Sequence, residues 1–176
     1  GTSQLHLISQ CELLAPLTGL QREVETFQIA SRCVDVVDAI VPLEDPQPVS
    51  YRLLKDTLEA LAQGWGDSLS LETHFIARLL RLAGFQPQLD DCTACGRQVR
   101  ARACWSPRHG GLLCASCLHE DPQADVVSPD MLEALEQLSG AERPVTLARP
   151  LALTLHARLE EFLRWRIEQP LKTLTK

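Results

Sequence analysis

Apolar residues recur at intervals of three and four along most of this chain, the spacing of one face of a helix. The first stripe runs Leu20, Val24, Phe27, Ala30, Val34, Val37 and Val41, and predicts one long amphipathic helix. Thr18 and Gln21 form a capping box ahead of it, since each side chain reaches the other's backbone N–H. Pro42 stops the helix, and the acid- and proline-rich stretch from Pro42 to Pro48 reads as a loop. A second helix, capped by Ser50, carries Leu54, Leu58 and Leu61 and ends at Gly64. Gly66, Asp67 and Ser68 turn the chain into a third, with Leu71, Phe75, Leu79 and Leu82 inward and Gly84 at its C-terminus. Further on, Ser128 and Pro129 supply a cap and a first-turn proline for a helix that Gly140 ends. Pro150 starts the last helix, with Leu151, Leu155, Leu159, Phe162 and Ile167 along one side until Pro170. Helices this short draw their stability from packing, so the pattern predicts a mainly α protein built as a bundle. Only residues 3–11 alternate as a strand does, with Leu5 and Leu7 opposite His6 and Ile8, and no partner strand is visible for them.

Between the third and fourth helices the helical period breaks off and cysteines take over. Cys92 and Cys95 form one C-x-x-C pair, and Cys114 and Cys117 form a second after eighteen intervening residues. That is the spacing of a four-thiolate zinc site, in which each tight turn delivers two sulfurs at about 2.3 Å from the metal. Gly96 suits the turn, because a knuckle often needs a positive φ. Four protein ligands leave no position for water, which makes the expected Zn2+ structural. The residues alone leave other readings open: two disulfides, a single iron or an iron–sulfur cluster, or unmetallated thiols. Seven cysteines is an odd number and argues against a fully paired disulfide framework. Cys104 and His109 lie between the pairs as substitute ligands, whereas Cys11 and Cys33 sit among apolar neighbours and read as small hydrophobes. The resulting division is a helical domain over 13–90 and 120–176 with an inserted zinc-ribbon or knuckle module over 91–118.

Charge narrows the function. The chain has 176 residues, enough for one ordinary core, with 17 basic against 23 acidic side chains and a formal net charge of −6. A zinc tetrathiolate adds about two further negative charges. A chain this acidic does not bind nucleic acid by bulk charge, and any such contact requires a local patch. One basic patch exists: Arg97, Arg100, Arg102 and Arg108, with His109, lie between the cysteine pairs with no acid among them. These cations either offset the thiolates or contact phosphates, with Trp105 available to stack on a base. Arg78 and Arg81 share a face of the third helix, and Arg158, Arg164 and Arg166 lie on the last. Each set is either a solvated face or a docking site for an acidic peptide with an apolar end. His6, His74, His119 and His156 are scattered and read as ordinary core or surface histidines. Glu160-Glu161 and Asp90-Asp91 are adjacent acids, not two carboxylates facing a substrate. There is no glycine-rich nucleotide loop, Walker loop or nucleophile elbow, and the expectation is a protein that is not an enzyme. No apolar run approaches the ~20 residues of a membrane span, and no signal-peptide pattern opens the sequence. A soluble protein of a reducing compartment is expected.

Three stretches carry a family resemblance. Leu-Leu-Arg-Leu-Ala-Gly-Phe-Gln-Pro (79–87) runs into Leu89-Asp90-Asp91-Cys92, with Cys95 and Gly96 following. Gly110-Gly111-Leu112-Leu113-Cys114 leads into Cys117, and Glu161-Phe162-Leu163 with Leu171-Lys172 closes the set. In this order and over most of the chain, these features resemble the RecO family of bacterial DNA repair proteins. The resemblance implies a cytoplasmic, nucleoid-associated recombination mediator that binds single- and double-stranded DNA and anneals complementary strands. It also implies association with RecR, contact with the C-terminal tail of single-stranded DNA-binding protein, and, indirectly, loading of RecA. It further implies an N-terminal OB-fold domain carrying the main DNA-binding surface, of which residues 1–12 are the end. The eight aromatic residues and acidic balance of this sequence do not supply such a surface. The alternative is a zinc-ribbon adaptor or a transcription-associated interaction module.

Overall fold

The computed structural model describes residues 9–13, 16–42, 46–99 and 102–166. It is mainly helical, with five α-helices, and a small three-stranded sheet among the described residues. The expected strand over 3–11 falls largely outside the described residues; Ser9, Gln10 and Cys11, which are described, pair with nothing as a strand.

The helical body is organised around α3 (Ser68–Leu82), which packs against α1 (Val24–Ile40), α2 (Pro48–Gln63), α4 (Pro129–Gly140) and α5 (Arg149–Arg166). Its start is set by Asp67, whose carboxylate accepts the Ser70 backbone N–H at 3.0 Å and satisfies one orphan donor of the first turn. Leu71, Phe75 and Leu79 face inward as the periodicity predicts, but Ile76, Ala77 and Leu80 are buried as well. A helix surrounded on several sides buries more than one stripe. Leu82 is only half-buried, and Gly84 takes φ 75° as the chain leaves the helix.

The first helix departs from expectation in two ways. Thr18–Gln21 is a separate 3₁₀ turn with no side-chain cap, and α1 begins only after the extended Glu23. The turn is pressed onto α2 so closely that a Cβ on Gly19 would stand 1.8 Å from the Ala62 carbonyl oxygen. The buried face of α1 is Ile29, Ala30, Cys33, Val36 and Ile40, whereas Val24, Phe27 and Val34 are exposed. The rotation follows Arg32, which lies within the buried stripe and forms ion pairs with Glu72 of α3 and Glu160 of α5. Counting only apolar residues passes over a cation that has to face inward.

In α2, Pro48 occupies the first turn and Gln47 precedes it, so Ser50 is not the cap but a buried residue of the first turn. Leu53, Thr57 and Leu61 are buried, with Leu54 and Leu58 half-covered beside them. Thr57 can face the core because its hydroxyl donates to the Leu53 carbonyl at 2.8 Å. Gly64 closes the helix at φ 67°, and Ser128 caps α4 by accepting the Met131 N–H at 3.3 Å. On α5, Leu155, Leu159 and Phe162 are buried and Leu151 is half-buried; Ile167 lies outside the described residues.

The inserted module holds β1 (Cys104–Ser106), β2 (Gly111–Leu113) and β3 (Asp125–Val126), antiparallel in the order β2-β1-β3. Because β3 pairs with β1, the sheet extends to Val126. Side chains alternate across a sheet, and here both faces are used. Trp105 and its cross-strand partner Leu112 point into the helical core, while Cys104 and its partner Leu113 point toward the cysteines. Ahead of β2, Gln88 donates to the Gly110 carbonyl at 3.0 Å and accepts from the Leu112 N–H at 3.0 Å. A side chain at Gly111 would meet the Gln88 carbonyl oxygen at 2.2 Å, so this backbone approach requires glycine.

Candidate metal centre

Each half of the centre is a short turn. In the first, Cys92 accepts from the Gly96 N–H at 2.8 Å and donates its own N–H to the Arg97 carbonyl at 2.8 Å, with Gly96 at φ 69°. In the second, the Cys117 N–H donates to the Cys114 carbonyl at 2.9 Å as a 3₁₀ turn, Ala115–Glu120, begins. The Cys114 N–H points at the Cys92 sulfur from 3.3 Å, which ties the halves together. The result brings Cys92, Cys95, Cys114 and Cys117 together with all four sulfurs within 4.8 Å of one another. The Cys95 and Cys114 sulfurs are 3.9 Å apart. Zn–S bonds of 2.3 Å in a tetrahedron put neighbouring sulfurs about 3.8 Å apart. No disulfide joins the cysteines of the described residues.

The chemistry of the donor set also fits a cation. The thiols of Cys92, Cys95 and Cys117 do not ionise alike. Cys95 is lowered to about 6, chiefly because the Arg97 side chain donates to its sulfur. Cys92 is lowered despite its burial, through backbone N–H groups of Cys114, Cys95 and Ala94. Cys117 is pushed up to about 12, first by its hydrogen bonds with Cys95 and Cys114. Four thiolates this close do not coexist without a positive charge among them, and a divalent ion supplies it. Zinc at this set of sulfurs would be closed to water and would hold the two turns together.

The substitute ligands stay apart. Cys104 directs its thiol at the Arg102 carbonyl 3.7 Å away, and its pKa is raised, first by burial and then by Cys114. His109 Nδ1 lies 2.9 Å from the Ser106 hydroxyl, which in turn donates to Asp121 at 2.6 Å. That Ser–His–Asp grouping has its hydroxyl fully buried and committed to the carboxylate, and it closes the turn between β1 and β2.

Arg97 lies against the Cys95 sulfur at 3.5 Å, while Arg102 and Arg108 are exposed, and Arg100 lies outside the described residues. Arg102 adopts φ 49°, a left-handed conformation costly for a residue with a Cβ. Trp105 corrects the sequence reading. It is 1 % exposed, with its ring 5.8 Å from that of Phe162, and so cannot stack on a base. Its position on β1 sends it into the helical core and away from the arginines. Arg78 is likewise engaged, donating to the Ser139 carbonyl at 2.9 Å and capping the end of α4. Arg81 lines a cleft of about 300 Å³ with Asp90, Leu135, Glu136 and Leu159.

The pattern of apolar residues passes over one cluster altogether. Arg32, Glu72, His156 and Glu160 meet where α1, α3 and α5 pack. Its only trace in the sequence is Glu72 standing between Leu71 and Phe75 in an apolar stripe. No described helix is long and apolar enough to cross a membrane.

Comparison with known proteins places this geometry. Residues 21–175 match the family model "Recombination protein O C terminal". A protein of Syntrophobacter fumaroxidans named DNA repair protein RecO is 37% identical over 109 residues, 61% of this chain and 43% of that protein. Proteins of the same name from Desulforamulus reducens and Bifidobacterium adolescentis are each 26% identical, over 97% of this chain and 68% and 72% of their own lengths. The aligned region thus spans between about two fifths and three quarters of these relatives. The helical body with its four-cysteine insert belongs to the RecO family of DNA repair proteins, and the part matched is the family's C-terminal region.

Proposed function

We propose that this chain serves DNA repair as part of a RecO-type recombination mediator, acting by binding DNA and partner proteins and not by catalysis. The observation that carries the reading is the convergence of Cys92, Cys95, Cys114 and Cys117 within a chain matched by the family over residues 21–175. A structural Zn2+ on these sulfurs braces a loop whose other sheet face is embedded in the helical core. Arg97, Arg100, Arg102 and Arg108 then form the phosphate-contacting patch. Each phosphate contact contributes about 0.7–0.9 to the salt slope of binding. Arg102→Ala with Arg108→Ala in the intact protein therefore flattens the slope for a single-stranded oligonucleotide by about 1.4. An unchanged slope overturns the assignment.

The partners of this reading are RecR, the C-terminal tail of single-stranded DNA-binding protein and, through them, RecA. An acidic tail with an apolar end needs a cation beside leucines. The cleft holding Arg81, Leu135 and Leu159 offers that combination, while Arg78 is occupied within the chain. Arg81→Glu weakens tail-peptide binding by about tenfold, equivalent to about 1.4 kcal/mol. A titration identical to that of the unaltered protein removes the cleft as the seat.

A further inference from the structure

A second group of metal-ligand side chains is built into the helical body, far in character from the thiolates. Glu72 of α3 with His156 and Glu160 of α5 each bring one ligand atom within 4.8 Å of the others. Glu72 is 1 % exposed and Glu160 6 %. His156 Nε2 is 3.0 Å from Glu72 Oε2 and 4.0 Å from Glu160 Oε1. Nitrogen and oxygen ligands at 2.0–2.1 Å from a tetrahedral ion stand about 3.3 Å apart, and the two separations bracket that value. Arg32 lies on the other side, with Nε 3.1 Å from Glu72 Oε1 and Nη2 bonded to Glu160 Oε1. It takes Glu72 Oε1 and leaves Oε2 to face His156, while on Glu160 it shares the oxygen that faces the imidazole.

One atom of the cluster is left over as a protein group. His156 Nε2 is buried and has no aligned hydrogen bond, although Glu72 Oε2 stands 3.0 Å away. Buried polar atoms are ordinarily satisfied. Two carboxylates share the one guanidinium of Arg32, and His156 Nε2 is the nitrogen a cation would take. We propose that Glu72, His156 and Glu160 form a second metal site, for a divalent ion of the zinc type that accepts nitrogen and carboxylate ligands together. Arg32 then holds both carboxylates from outside the coordination sphere, as hydrogen-bonded partners of ligating groups do. Three protein ligands leave one position for water. This site depends neither on the cysteine centre nor on the role in DNA repair.

The test uses the whole chain with its cysteine centre already filled by Zn2+, and the probe is Co2+. The expected result is uptake of one equivalent of Co2+ without thiolate-to-cobalt charge-transfer absorption. His156→Ala and, separately, the isosteric Glu160→Gln abolish that equivalent while the bound zinc stays at one per chain. Helical circular dichroism establishes that each variant is folded. Failure of the unaltered protein to take up Co2+ overturns the proposal, and the cluster is then an ion network of protein groups alone. Uptake only into the thiolates, or uptake that survives both substitutions, overturns it equally.

Discussion

Cys92→Ser releases the metal from the cysteine centre and unfolds the module between Cys92 and Val126. A structural zinc site contributes roughly 10–16 kcal/mol of folding free energy in small peptides. A typical domain has a net stability of about 5–15 kcal/mol, so the effect does not stay local. Cys92 is the suitable position because its sulfur is 1 % exposed and receives the Cys114 N–H, which joins the two turns. The expected result is loss of stoichiometric zinc by elemental analysis, rapid proteolysis within the loop, and a red shift in tryptophan fluorescence as Trp105 meets water. The helices loosen as well, since Ala103, Trp105 and Leu112 belong to the same apolar core as α3 and α5. A variant that keeps its unaltered fluorescence and protease resistance without metal would falsify the structural role of the centre.

Trp105→Ala destabilises the chain by about 3–5 kcal/mol, the cost of truncating a fully buried large aromatic side chain. The ring is lost from its contact with Phe162, and Arg166, which lies over Phe162 at 5.3 Å, loses part of its support. Urea unfolding reads this as a lower midpoint. Below that midpoint, DNA affinity per folded molecule is unchanged, because the indole never reaches the surface. The opposite pattern, unaltered stability with lost DNA binding, would return Trp105 to the base-stacking role that its place among arginines suggests. The two substitutions test different faces of one small sheet.

Legibility differed between parts of the molecule for physical reasons. The four clustered cysteines stood out because each C-x-x-C turn brings two sulfurs together by local geometry, whatever surrounds it. The cap at Ser128 was equally local, whereas Asp67 reads in the sequence only as part of a turn. Stripe orientation was not. On α1, Val24, Phe27 and Val34 keep helical spacing yet face outward, since a helix turns by the groups it must satisfy as well as by the apolar area it can bury. Arg32 pairs with Glu72, forty residues away in sequence, and with Glu160, at a separation of 128. No local pattern announces such a pairing. Trp105 shows the same limit: alternation along β1 is visible, but which face meets α5 depends on β2 and β3.

The residue order alone therefore determined what short-range geometry controls: helices punctuated by glycine and proline, a four-cysteine insert, and a family signature at the junction between them. Tertiary structure decided which way each helix faced, which side of the sheet was buried, and which charged groups met. Those outcomes depend on contacts between segments distant in sequence, where buried charges must find partners before the apolar surfaces can close.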